Sequence, residues 1–133
     1  MREEEVIIKQ IKYWNNSATK DFDTAEYLHK GGKFEACLFF CHLSLEKILK
    51  GIVVQENQQV APYTHDLEKL SKIANLTLTE DQKKNLRIIT GFNIEGRYSD
   101  IQLQFQEKYT QEYVEKYFKI SKNLFKWLQK KYQ

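Results

Sequence analysis

Apolar residues return every three or four positions along almost the whole chain, and the breaks in that rhythm are short. The densest stretch is Phe34–Val54, where Leu38, Cys41, Leu45, Ile48 and Ile52 mark one helical stripe. Phe39, Phe40, Leu43, Leu49 and Val53 add apolar surface on its other sides, so this helix belongs at the centre of the fold. His42, Glu46 and Lys50 stand one turn apart on the same rod, a polar ladder with Glu before Lys in the favourable order. Lys47 adds another charge mid-segment, and these charges rule out a membrane span. Charges carried into a core need partners, so other segments must supply them.

The flanking segments read as helices too. Ile7, Ile11, Trp14, Ala18, Phe22, Ala25 and Leu28 form one stripe and predict a first helix from about Glu3 to Lys30. Gly31-Gly32 ends it and turns the chain back, which makes an antiparallel hairpin with the central helix. Asp21 lies at the edge of the stripe, either as a solvated rim residue or as the partner of a buried Lys or Arg. Gln55–Tyr63 is a polar loop closed by Pro62, followed by Thr64 as an N-cap and Asp66 in the first turn of a short helix carrying Leu67, Leu70 and Ile73. Thr79 and Gln82 make a capping box for a fourth helix over roughly Glu80–Phe92, which buries Leu86, Ile89 and Phe92. Asn93–Gln106 loses the period and contains Gly96, Ser99 and Asp100, so Arg97-Tyr98 stands in a loop, a common place for function. Thr110 caps a last helix that runs to about Lys131, with Tyr113, Tyr117, Ile120, Leu124 and Leu128 facing inward. Lys119, Lys122, Lys126 and Lys130 form a ridge on its other face, either a solvated surface or a contact for phosphates.

These segments predict an all-α fold, an up-and-down helical bundle of about five helices, in a single domain over residues 1–133. One Pro and five Gly are too few for an all-β chain, and 41% apolar with 29% charged residues excludes a disordered one. No basic region precedes an apolar run at the N-terminus, so no signal peptide is read and the expected compartment is cytoplasmic. A net charge of +3 permits an anionic partner without requiring one. Cys37 and Cys41 sit one turn apart, with Cβ atoms about 6 Å from each other, too far for a relaxed disulfide, and read as core thiols. A metal site would need His42 and ligands from a second Cys/His cluster, which the sequence lacks. Phosphate-loop, dinucleotide, zinc-protease and nucleophile-elbow motifs are all missing, so no catalytic residue, metal or cofactor is assigned. Ser44, Trp14 and Trp127 read as packing residues. A thin bundle has trouble covering Trp14, Phe39, Phe40, Phe92, Phe118, Phe125 and Trp127, which points to a homodimer.

Four local patterns occur in order: Ala18-x-x-Asp21-Phe22-x-x-Ala25-x-x-Leu28, then Leu45-Glu46-Lys47-Ile48-Leu49-Lys50, then Thr64-His65-Asp66-Leu67, then Arg97-Tyr98. With them the chain resembles the small stand-alone prokaryotic branch of the HEPN (higher eukaryotes and prokaryotes nucleotide-binding) domain family over nearly its whole length. The resemblance implies a short helical bundle, often a homodimer, and a minimal nucleotidyltransferase as gene-neighbour partner in toxin–antitoxin-like pairs. His42-Leu43 stands where the family often has Gln-Gln, and Ser99 where a Pro usually follows Arg-Tyr. Ribonuclease members of the wider superfamily carry an Arg with a His shortly downstream, late in the chain. Here the last histidine is His65, so Arg87 and Arg97 have none after them.

The candidate polar cluster is therefore Asp21, Glu46, Lys47, Lys50, His65, Asp66, Arg97 and Tyr98; of these Asp21, Glu46, Lys50, His65, Asp66 and Arg97 are expected to gather near one end of the central helix, with Arg97 best suited to an anion. Three functions compete. One is a non-catalytic module that binds a nucleotide, RNA or a nucleotidyltransferase. Another is a metal-independent ribonuclease with His65 as acid or base. The third is a structural oligomerising bundle whose polar ladder sets helix register. The missing Arg–His pair favours the first.

Overall fold

Local signals set each helix, and a computed structural model shows how they assemble; it describes residues 2–95 and 109–133. The helices are α1 (Glu3–Lys30), α2 (Phe34–Asn57), α3 (Leu67–Ile73), α4 (Glu80–Glu95) and α5 (Gln111–Gln129), and no strand occurs among the described residues. The all-α bundle expected from the periodicity is the fold observed.

Turn chemistry explains the boundaries. At the end of α1 the Gly32 amide donates to the His29 carbonyl (3.2 Å) and the Lys33 amide to the Leu28 carbonyl (2.9 Å), the paired bonds of a Schellman motif. The motif needs a left-handed residue, and Gly32 supplies it at φ 71°. Asn75 does the same for α3 at φ 60°, with Leu76 bonded back to the Ser71 carbonyl. The capping box is present, with Gln82 N–H donating to Thr79 Oγ1 (3.1 Å) and Thr79 N–H to Gln82 Oε1 (2.9 Å). Thr110 caps α5 by accepting from the Tyr113 amide at 3.1 Å.

Three boundaries differ from expectation. Thr64 is not the cap of α3; Asp66 is, its Oδ1 accepting from the Lys69 amide at 3.1 Å. Thr64 Oγ1 instead accepts from the Asp66 amide, so the two side chains work in sequence and the helix starts later. The central helix continues past Val54 to Asn57, where the left-handed Gln58 stops it. α4 continues past Phe92 and carries Asn93, 4% exposed, into the helix.

α2 is the hub, packed by α1, α5, α3 and α4. Cys37, Leu38, Cys41, Leu45, Ile48, Leu49, Ile52 and Val53 are all buried on it. α5 runs antiparallel to α1, since Gln129 reaches Asn15 and Thr19 while Lys122 reaches Glu26. Between them Phe22 stacks on Phe125 (4.8 Å) and Phe118 (6.0 Å). Phe92, Phe118 and Phe125 are thus covered by the chain itself, which leaves Trp14, Phe39, Phe40 and Trp127 half-buried. Cys37 and Cys41 are free and fully buried. A hydrogen bond with Cys37, then burial, holds the Cys41 thiol well above its ordinary value, which keeps it protonated. No described helix is long and apolar enough to cross a membrane.

The C-terminus locks onto α2 through a glycine. Tyr132 donates its hydroxyl to the Ile48 carbonyl at 2.7 Å, and a Cβ on Gly51 would collide with that phenol and with Trp14. Mid-helix glycine costs about 1 kcal/mol against alanine, so the close approach must be worth more than that. Gly51→Ala is expected to destabilise the fold by roughly 2 kcal/mol in denaturant melts. In a Tyr132→Ala background the same change should be neutral or stabilising, and additivity of the two would contradict this packing. Burial pushes the Tyr132 phenol up, so its contribution is complete below the ordinary phenol value near pH 10 and is lost above it. Tyr132→Phe should flatten that alkaline limb.

Candidate functional site

Glu46 lies at the middle of α2 with its side chain 6% exposed, and both carboxylate oxygens are engaged. Lys50, one turn on and 8% exposed, donates to Oε2 at 3.0 Å. His65 donates from Nδ1 to Oε1 at 2.7 Å. His42, one turn back and fully buried, places Nε2 3.8 Å from Oε1 and 2.9 Å from the His65 carbonyl. A carbonyl only accepts, so the proton of His42 sits on Nε2, and a carboxylate likewise fixes the proton of His65 on Nδ1. The ladder expected from sequence is therefore real, and His65 is its link to the incoming segment.

Two aromatic rings complete the surround. The Lys50 ammonium lies 5.5 Å from the Trp14 ring centroid and 5.9 Å from that of Tyr63. Tyr63 also meets His65 edge-on at 5.5 Å. Sequence reasoning missed both as parts of the site. Trp14 carries the ordinary core signal at helical spacing, and Tyr63 sits in a loop without periodicity.

Lys47 points to a different neighbour. It pairs with Asp21 Oδ2 at 2.7 Å and donates to Ser17 Oγ at 2.8 Å, pinning α1 to α2. Asp21 pairs with a cation, as one of its two readings had it, but that cation is half-buried. Its cation is Lys47 rather than a member of the Glu46 ladder. Ser17 was not singled out, although its place one turn before Asp21 at the edge of the α1 stripe was the available signal. Asp66 serves as a helix cap beside the cluster. The ladder meets its partners beside the middle of α2, because the segment after Pro62 comes back along the helix flank. Arg97 and Tyr98 lie outside the described residues. Among those described, no group of three or more His, Cys, Asp and Glu is arranged to hold a metal ion.

The HEPN domain family model matches residues 11–132, almost the entire chain. This chain belongs to the HEPN domain family. The fold agrees: the crystal structure of TT1696 from Thermus thermophilus superposes with a TM-score of 0.75 at 17% identity, over 92% of this chain and 98% of that one. No curated protein is detectably similar in sequence. In this HEPN domain the Glu46 carboxylate neutralises Lys50 locally, so the described part of the cluster offers no spare cation to a phosphate. Among the described residues the cluster is an ion-pair network that ties α2 to the segment carrying His65.

Breaking a buried pair strands the remaining charge, so Glu46→Gln should cost roughly 3 kcal/mol or more of stability in a denaturant titration. Lys83→Ala, which removes a surface pair with the exposed Glu80, should cost well under 1 kcal/mol in the same assay. Equal losses from the two would mean that the Glu46 network carries no special weight.

Proposed function

We propose that this HEPN domain is a non-catalytic module that binds a nucleotide, RNA or a protein partner, and that it acts with a minimal nucleotidyltransferase in a toxin–antitoxin-like pair. The observation carrying this reading is the saturation of Glu46: each oxygen already accepts a hydrogen bond from a side chain of the same domain. Cleaving RNA without metal needs one group to take a proton and another to give one. His65 has an orienting carboxylate, but Lys50 is consumed by that same carboxylate. The sequence adds no histidine after His65 to pair with Arg87 or Arg97. A cytoplasmic setting accords with the two free thiols.

A second copy of the chain belongs to the same proposal. Val6, Tyr13 and Tyr27 recur at multiples of seven on α1 and are 36%, 59% and 79% exposed, a seam suited to another helix. Sedimentation equilibrium should find twice the 16.0 kDa chain mass, and Tyr13→Glu with Tyr27→Glu should return it to monomer.

Incubated with mixed RNA in the presence of a chelator, the purified domain is expected to leave the RNA intact. Cleavage that disappears in His65→Ala would replace this proposal with the ribonuclease reading. Co-expression with a nucleotidyltransferase encoded beside it should yield a stable complex. Failure to form that complex, together with no binding of labelled ATP or RNA, would leave only a structural bundle.

A further inference from the structure

The outward face of α5 carries charge that the rest of the described residues do not answer. At 100° per residue Lys116, Lys119, Asn123, Lys126 and Lys130 fall within an arc of roughly 80°, along roughly 21 Å of helix. Lys119, Lys126 and Lys130 are exposed and form no ion pair among the described residues. Lys122 leans toward α1 and is neutralised by Glu26 at 3.3 Å. The acids of α5, Glu112 and Glu115, are confined to its start, and Glu115 is held by His29 at 2.8 Å.

Beside this ridge a groove of about 250 Å³ opens between α4 and α5, lined by Gln82, Asn85, Ile120, Asn123, Leu124 and Trp127. Its floor is apolar: Ile120 and Trp127 stand seven residues apart, half-buried, with Leu124 between them. Its rim is amide, and Asn85 and Asn123 make no side-chain hydrogen bond among the described residues. An apolar floor with this spacing, flanked on one side by unpaired cations, is complementary to a helix with an apolar seam and an acidic flank. A nucleic-acid strand would want aromatic faces to stack on. Here the Trp127 ring already holds the Lys131 ammonium, 5.0 Å from its centroid.

We propose that the α4–α5 groove and its lysine ridge dock an acidic amphipathic helix of a partner protein. Ile120 and Trp127 receive its apolar side chains, and Lys119, Lys126 and Lys130 face its carboxylates. The inference rests on the binding-module reading for the existence of a protein partner and names where, and by what chemistry, that partner is held. Central apolar anchors should govern dissociation, while the rim lysines govern the association rate and its salt dependence.

The probe is a synthetic amphipathic peptide with a leucine seam and glutamates on one flank, compared with a version bearing glutamine for each glutamate. The chain has two tryptophans, so proton–nitrogen correlation spectra give two indole signals, assigned with Trp127→Phe. The glutamate peptide should shift the Trp127 indole saturably and leave Trp14 unmoved. Affinity should fall by about tenfold or more with the glutamine peptide, and equally with the Lys119→Glu, Lys126→Glu, Lys130→Glu triple variant. Those lysines are exposed, so the circular dichroism of the triple variant should match the parent. Absence of binding, equal binding of both peptides, or a short uridine RNA that moves Trp127 where the peptide does not would each overturn the proposal. The co-expressed nucleotidyltransferase separates the two levels: a complex that forms equally with the triple variant sinks this surface while the module reading stands.

Discussion

A carboxylate buried in the middle of a helix cannot be left alone, and much of this fold answers that requirement. Removing Glu46 from water without partners would cost several kcal/mol, more than a domain of this size can spare. Lys50 supplies the countercharge within the helix, and His65 supplies a hydrogen bond from a segment with no regular structure of its own. Binding His65 fixes the path after Pro62, delivers Asp66 to cap α3, and lays Tyr63 against the Lys50 ammonium. A second pair, Lys47 with Asp21, fixes α1 in the same directional way. Apolar burial supplies most of the stability, but it is non-directional, and it falls to these charged contacts to select one register among several greasy alternatives.

Contacts of α1 and the C-terminus are also held by shape. Phe22, Phe118 and Phe125 stack between α1 and α5, and His29 lies on Phe118 at 4.1 Å. Beyond the end of α5 the chain tucks Tyr132 over Gly51, where any side chain would exclude it. α2 therefore carries two kinds of specification. One is a match of charge, the other the absence of a Cβ.

This division bears on function. Among the described residues, the charges on α2 pair with one another or with side chains of the segments packed beside it. On the outside, Lys119, Lys126 and Lys130 of α5 form no ion pair among the described residues, and Tyr13 and Tyr27 of α1 are exposed. Membership of the HEPN family rests on the match over residues 11–132, and the likeness to TT1696 at 17% identity speaks to the fold alone.

Whatever depends on neighbours within a few residues was legible in the sequence. The 3.6-residue rhythm gave the helices, Gly31-Gly32 the first turn, Thr79 with Gln82 and Thr110 the caps, and His42–Glu46–Lys50 the ladder, because each is an interaction closed within about one turn. Thr64 and Asp66 are hard to tell apart for the same reason: both can cap, and only the tertiary path of the segment decides which reaches a free amide. Similarly, nothing local says that Asp21 answers Lys47 while Glu46 takes His65. Those choices depend on which helix faces lie together once the core has packed. Trp14 and Tyr63 entered the site unannounced, since a ring over an ammonium leaves no periodic trace in the chain. The sequence by itself determined that charges on a buried helix would need partners. Which partner each one found was decided by the tertiary structure, because desolvation is a property of a position on a helix, whereas pairing is a property of the distance between helices.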